Sequence, residues 1–388
     1  MTDPPVSRDG YGPTSVHPFT GVLPQLADPA GYTPCSVDYV TDEHFRAYWL
    51  DLFAEHMPTM GDHAVEEVVD QGGDVEESAE RALSAIRGFL AWLDRCRVDI
   101  ASVAAEAGQG GRLTMLDVCY ERERRWRAAG FDDPYRLAKY RENESALAIL
   151  PALLARLDAM PVVDRLAAIT RGVFAGNIFD LGATQTQAMF RDKRVDFTDT
   201  LGRLRARPWL VDDADAWLAA FEKGWGCPLV FVDNAGPDIV LGMLPLVREL
   251  LRRCEAVIVA ANTFPSLNDV TIDDLSTLVG HAAAIDGELA EARAAGRLVL
   301  VGSGNGAPLI DLTRLSPELE ALAGSGVGGR AVDLVILEGM GRAVESNYHV
   351  PFTTDVLKTC MVKDPGIAEE LGGEVFDLVL RFEPAGGQ

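Results

Sequence analysis

Five short apolar runs punctuate the second half of the chain, at residues 229–232, 256–260, 298–301, 334–337 and 376–380. Each is too short for a buried helix and lacks the alternation of a half-exposed strand, so each reads as a strand covered on both faces. Helical stretches at 238–253, about 273–294 and 316–323 lie between them. Strands alternating with helices imply an α/β fold with a largely parallel sheet and helices on both faces. The first half is different. Phe45, Tyr48, Trp49 and Phe53 recur at helix spacing, as do Leu83, Ile86, Phe89, Leu90 and Leu93, and Leu137, Leu147, Leu150 and Leu154. Pro151 is expected to kink or split the last of these helices. Residues 1–40 are rich in Pro, Gly, Asp and Thr without periodicity and read as an extended or partly disordered arm. The expected division is an arm at 1–40, a helical subdomain at 41–200 and an α/β core at 201–388.

The charge balance removes one class of function. Thirty-five Lys and Arg against 59 Asp and Glu give a net charge of −24, the opposite of a general nucleic-acid binder. An anionic substrate would need local positive charge from a metal, Lys or Arg. The six cysteines form no CxxC pair and none has a His at zinc-finger spacing, which fits a reducing cytoplasm better than a disulfide framework. The N-terminus has no basic region followed by an apolar core, so no signal peptide is expected, and no stretch reaches the length of a membrane span. Oligomeric state has no signature here.

Four of the five strands end in polar or glycine-rich residues. The first gives Asp233-Asn234, then Gly236-Pro237-Asp238; the second gives Asn262, then Asn268-Asp269. The third gives Ser303-Gly304-Asn305-Gly306; the fourth gives Glu338-Gly339-Met340-Gly341-Arg342. Parallel strands would bring all four to one edge, where open α/β sheets bind ligands.

Each group has a plain structural reading beside the functional one. Asp233-Asn234 reads equally as a helix-capping turn and as oxygen ligands for Mg²⁺ or Mn²⁺. Asp238 is a good helix N-cap, and Asp269 either caps the next helix or reaches the same metal from the neighbouring strand end. Asn177 and Asp180, three residues apart in an apolar segment, share a helix face, as core groups or as a site wall. The 303–306 loop resembles a phosphate cradle but lacks the Lys-Ser/Thr of a P-loop. Arg342 after two glycines offers a bidentate phosphate clamp, or is a solvated side chain. Lys358 and Lys363 flank an apolar trio, where a Lys would neutralise phosphate or simply cover apolar surface. Cys360 reads as a small buried hydrophobe, and the histidines form no metal pattern.

Long segments carry a family resemblance: FDDPYRLAKYRENESAL, RGVFAGNIFDLGA, VFVDNAGPDIVLGMLPLVRELLRR, AANTFPSLNDVT, SGN, DLVILEGMGRAVESN and LKTCMVKDPGIAEELGG, in order over about residues 131–373. The chain resembles the metal-dependent damage-control phosphatases, with an ARMT-like fold. It is most similar to the subfamily found as the C-terminal domain of certain eukaryotic pantothenate kinases. The resemblance implies a helical N-terminal part packed on a Rossmann-like core, and hydrolysis of small phosphate monoesters with one divalent metal ion (Mg, Mn, Co or Ni). It implies Asp233, Asn234 and Asp269 as metal ligands. Asp233, Asp238 and Asp269 stand as catalytic candidates. Asn177, Asp180, Ser303, Gly304, Asn305, Glu338, Gly339, Arg342 and Lys358 are the candidates for holding substrate and phosphate.

The subfamily's association with 4′-phosphopantetheine and its oxidised forms makes these the favoured substrate, with a sugar phosphate second. No ATP-binding glycine loop precedes the matched region, so pantothenate phosphorylation is not expected. An S-adenosylmethionine-dependent carboxyl methyltransferase would want a Gly-rich turn after the first core strand, where this chain has Asp-Asn-Ala-Gly-Pro-Asp. A non-catalytic phosphometabolite-binding regulator would use the same pocket without turnover.

Overall fold

The computed structural model describes residues 19–107, 110–177 and 197–386. Six helices come first: α1 (Glu43–Asp70), α2 (Val75–Val98), α3 (Ile100–Ala107), α4 (Met115–Ala128), α5 (Arg136–Asp158) and α6 (Val162–Asn177). Asp42 and Asp74 cap α1 and α2 by accepting hydrogen bonds from Phe45 N and Glu77 N. Pro151 does not split α5, which runs unbroken from 136 to 158. The remainder alternates: α7 (Phe197–Arg203), β1 (Val211–Asp212), α8 (Ala214–Lys223), β2 (Pro228–Phe231), then a π-helical turn (Asp238–Met243) leading into α9 (Leu244–Leu251). It continues through β3 (Val257–Ala261), α10 (Ile272–Ile285), α11 (Gly287–Ala294), β4 (Leu298–Gly302), α12 (Pro317–Ser325) and β5 (Leu334–Glu338). A second π-helical turn (Met340–Glu345), β6 (Asp355–Met361), α13 (Pro365–Leu371) and β7 (Leu378–Glu383) complete the chain.

The seven strands form one sheet in the order β1-β7-β6-β5-β2-β3-β4. Strands β2 to β6 are mutually parallel, and β7 is antiparallel to β6. The five apolar runs of the sequence are β2, β3, β4, β5 and β7. Strand β6 was not among them, because Lys358 interrupts its apolar run, and β1 has only two residues.

Side chains alternate along these strands, so each strand feeds two cores. Leu229, Phe231, Ile258, Val335 and Leu337 pack with α1, α2 and α4 on one face. Val230, Val232, Val257, Val259 and Ile336 pack with α5, α6, α9 and α10 on the other. The six N-terminal helices therefore divide between the two faces. Residues 19–40 lie without helix or extended strand, yet Leu23, Leu26, Cys35 and Tyr39 are buried in the first core. Gly21 bridges Leu315, and Leu26 bridges Phe352. All six cysteines are buried and unpaired. Among the described residues no helix is long and apolar enough to cross a membrane.

The chain winds outward from β2 through β3 to β4, then returns to place β5 on the other side of β2. The direction of winding reverses between β2 and β5. In open α/β sheets the crevice at the carboxyl ends of two such strands is where ligands bind. Asp233 follows β2, and Glu338 ends β5.

Candidate metal centre and substrate pocket

Two loops build the floor of this crevice. The loop after β2 and the loop after β3 pair through their backbones: Val270 N donates to Asp233 O at 2.9 Å, and Ala235 N donates to Asn268 O at 2.9 Å. This pairing sets Asn234 opposite Asp269. Helix α5 braces both loops. Asn143 Oδ1 accepts from Gly236 N at 2.6 Å, and buried Lys139, paired with Asp133 at 2.8 Å and Asp274 at 2.7 Å, donates to Asp269 O at 3.5 Å.

Neither Asp238 nor Asp269 caps a helix. Asp238 Oδ2 accepts from Asn234 N at 3.2 Å and Asn177 Nδ2 at 3.0 Å, and the next helix begins without a side-chain cap. Thr271 caps α10, leaving Asp269 for the crevice. Two segments entering the site, Asp238–Met243 and Met340–Glu345, are π-helical, a geometry concentrated at functional positions.

Asp233, Asp238 and Glu338 offer carboxylate oxygens within 4.8 Å of one another, all buried. Asn177 donates one amide group to all three: to Glu338 Oε1 at 2.7 Å, Asp238 Oδ2 at 3.0 Å and Asp233 Oδ2 at 3.3 Å. Burial, and next the neighbouring Asp233 charge, push Asp238 up to about 7. Burial, then Asp238 and Asp233, raise Glu338 well above the usual carboxylate range. Among the described residues, buried Asp238 Oδ1 has no hydrogen-bond partner. Such a cluster calls for a proton or a cation.

A second set of oxygens faces the pocket. Asp233, Asn234 and Asp269 line it, whereas Asp238 and Glu338 are fully buried behind them. Asn234 Nδ2 donates to Asp233 Oδ2 at 2.9 Å and Asp238 Oδ2 at 3.2 Å. With the amide nitrogen so committed, the side-chain oxygen Oδ1 of Asn234 has no hydrogen bond among the described residues, while its main-chain oxygen accepts from Ile239 N. Arg342 joins the two acids of this set. Its Nη1 is paired with Asp233 Oδ1, and its Nη2 lies 2.9 Å from Asp269 Oδ2 and 3.1 Å from Asn262 Oδ1. Burial works against the Arg342 charge, but Asp269 and Asp233 outweigh it and raise its pKa. The two arrangements share Asp233 and differ in access. Of the two, the Asp233–Asn234–Asp269 set lines the pocket, and its all-oxygen donors suit a hard divalent ion. The donor chemistry therefore fits the metal that the sequence implied.

Gly339 explains how Asp233 reaches this position. Its φ is 98°, and a Cβ there would fall on the Asp233 carboxylate. The structure thus brings together Asp233, Asn234, Asp238, Asp269, Asn177, Glu338, Gly339 and Arg342.

It does not bring the 303–306 loop. Ser303 N donates to Ala261 O, Gly304 N to Thr263 Oγ1 and Asn305 N to Ser303 Oγ, so these amides are spent within the fold. Neither Ser303, Gly304 nor Asn305 lines the pocket. Lys358 is also directed elsewhere: its amine donates to Tyr348 O at 3.0 Å and Val350 O at 2.8 Å, beside Glu383. Lys363, five residues on, lines the pocket instead. Asp180 lies outside the described residues. Asn143, Lys139 and Arg122 look like ordinary polar helix residues in the sequence and take their places near the site only once the helices are packed.

Helices α1 and α4 close the pocket from above with Tyr48, Trp49, Phe53, Met115 and Arg122. The pocket thus has a polar floor and largely apolar walls.

Comparison with known proteins agrees with this architecture. The sequence profile described as "Damage-control phosphatase ARMT1-like domain" matches residues 53–379. The chain is 35% identical to damage-control phosphatase At2g17340 of Arabidopsis thaliana over 93% of this chain and 96% of that protein. It is 32% identical to the 4′-phosphopantetheine phosphatase of Mus musculus, over 93% of this chain and 48% of that one. It is 37% identical to pantothenate kinase 2 of A. thaliana over 95% of its length, but spans only 42% of that relative. The crystal structure of a DUF89 family protein from Pyrococcus horikoshii shares the fold, with a TM-score of 0.54 at 16% identity, covering 84% of this chain and 96% of that one. With the profile spanning most of the sequence and a full-length relative at this identity, the chain belongs to the ARMT1-like damage-control phosphatase family.

Proposed function

We propose that the protein is a metal-dependent phosphatase of small phosphate monoesters, with 4′-phosphopantetheine or an oxidised derivative as its favoured substrate. The observation that carries this reading is the pocket floor, where Asp233, Asn234 and Asp269 present oxygen at the point where the sheet winding reverses. Asp233, Asn234 and Asp269 would hold the metal. Bound there, a divalent ion would polarise the phosphoryl group and offset its charge.

The protein's own residues supply the rest. Arg342 holds the Asp233 and Asp269 carboxylates at a fixed spacing, so it acts as a positioning residue. Asp238 and Glu338 sit behind Asp233: Glu338 Oε2 accepts from Asp233 N at 2.9 Å and fixes the backbone from which the ligand projects. Lys363, in the pocket, takes the phosphate-neutralising role first assigned to Lys358. Apolar walls exclude water around the ester, which strengthens each of these electrostatic contacts. The substrate preference is supported by the mouse relative named for it.

The test is phosphate release from a panel of phosphoesters with Mg²⁺, Mn²⁺, Co²⁺ or Ni²⁺ and with chelator. Turnover only with metal, fastest on 4′-phosphopantetheine, is expected. Undiminished turnover in chelator would overturn the metal site. Binding without phosphate release would make the protein a regulator.

A further inference from the structure

The pocket has a second polar pole, away from the acidic floor, to which the proposed chemistry assigns no role. Arg122, on α4, lines the cavity although only 3% of its surface is exposed. Its Nε and Nη2 both bond one oxygen of Glu123, at 2.9 and 2.7 Å, and Nη2 lies 3.4 Å from Ser266 Oγ. Its guanidinium carbon stands 5.4 Å from the Phe53 ring centroid. Among the described residues, Nη1 has no hydrogen-bond partner. A donor left open in this way, on a side chain otherwise buried and at the wall of a cavity, suits an acceptor brought by a ligand.

Leu267 is the second, independent sign. It follows Ser266, lines the same cavity and has φ 47°, a left-handed conformation costly for a branched side chain. Asp269 N donating to Ser266 O at 3.1 Å, together with the Ala235–Asn268 bond, holds it there. The strain aims an apolar side chain at the pocket from the loop that joins Ser266, at the Arg122 pole, to Asp269, at the floor. Met340 and Leu309 extend this apolar wall.

We propose that Arg122 is a specificity-determining residue that binds an uncharged carbonyl or hydroxyl oxygen in the substrate's tail, with Leu267 packing on the apolar stem between that oxygen and the phosphate. Glu123 already balances the Arg122 charge, so a neutral acceptor fits better than a second carboxylate. The selected substrates are elongated phosphate monoesters, not compact polyhydroxyl ones. This rests on the phosphatase reading for the phosphate end only.

Removing Arg122 alone would leave buried Glu123 with only the Ser266 hydroxyl bond and no bonded cation, so the test uses Arg122→Met with Glu123→Gln, and separately Leu267→Gly. Three measurements are made: kinetics on 4′-phosphopantetheine, kinetics on phenyl phosphate, and calorimetric binding of pantetheine, which has the tail but no phosphate. The double variant is expected to raise KM for the tailed ester about ten-fold or more and to weaken pantetheine binding equally, with phenyl phosphate turnover within about three-fold of wild type. Leu267→Gly is expected to raise the same KM while keeping or raising thermal stability, because glycine accepts that φ. Equal losses on both esters, or unchanged pantetheine binding in the double variant, would overturn the proposal. Wild-type protein that binds pantetheine but releases phosphate from neither ester would sink the phosphatase reading while leaving this subsite standing.

Discussion

Asn177 Nδ2 lies 2.7 Å from Glu338 Oε1, so one amide in the last turn of α6 ties the helical half of the chain to the end of β5. Asn177 Oδ1 also accepts from Met361 N at 3.3 Å. Replacing Asn177 by Asp would set a fourth carboxylate against three that already repel one another. Asn177→Asp is predicted to lower phosphate release at least about 100-fold and to cost the metal-free protein about 1–3 kcal/mol, read by chemical denaturation. Wild-type stability in the variant would show that the amide does not organise the cluster.

Gly339→Ala adds a single methyl group that collides with the Asp233 carboxylate and is strained at φ 98°. Activity is predicted to fall about 100-fold or more, since a ligand displaced by about 1 Å loses its geometry. Circular dichroism should report the native helix content. Full activity would mean that Asp233 can move without consequence.

The carboxylate cluster gives stability an unusual pH dependence. Asp238 and Glu338 bind protons more tightly in the folded state than unfolded. The Asp238 contribution is therefore full below about pH 4 and is lost as pH rises through about 7, and that of Glu338 changes in the same direction. In Asp238→Asn the side-chain oxygen can keep the bonds accepted from Asn234 N and Asn177 Nδ2, and the charge is gone. The variant is predicted to be more stable than wild type by about 2 kcal/mol at pH 8 in chelator, with the difference vanishing near pH 4. Parallel pH–stability curves for the two proteins would contradict this.

The two lysines around Cys360 should separate cleanly. Lys363→Ala is predicted to lower kcat/KM about 100-fold, because it removes a cation from the pocket lining on the side proposed to hold the phosphate. Lys358→Met should leave kcat/KM within about three-fold. Burial, offset in part by Glu383, lowers the Lys358 pKa to about 8, and its bonds all go to Tyr348, Val350 and Glu383. Equal losses in both variants would place Lys358 in the site after all.

Much of this arrangement was legible in the sequence because it is written in short range. Four strand ends carrying Asp233-Asn234, Asn262, Ser303 and Glu338-Gly339 pointed to a parallel sheet with polar residues at one edge, and three of them, all but Ser303, contribute to the cluster described. Lys358 is directed away from the pocket for a geometric reason. Alternation along β6 puts Lys358 on the same face as Val356 and Cys360, beneath the 348–350 turn, while Lys363 lies past the strand end. The 303–306 glycine loop looked like a cradle because glycine permits one. Which way its amides point is decided by Thr263 and Ala261, more than 40 residues away. Arg122 and Lys139 left no sequence signal, since a polar residue on a helix reads as solvated until another element covers it.

The two candidate ligand sets share Asp233 and part at Asp269, so metal titration of phosphate release in Asp269→Asn, beside wild type and Asp238→Asn, tests the central claim most directly. If the ion sits on the pocket floor, Asp269→Asn needs at least about ten-fold more Mn²⁺ for half-maximal rate and is slower by about 100- to 1,000-fold. Asp238→Asn keeps a metal requirement near that of wild type. An Asp269→Asn protein with the wild-type rate and metal dependence would contradict the account.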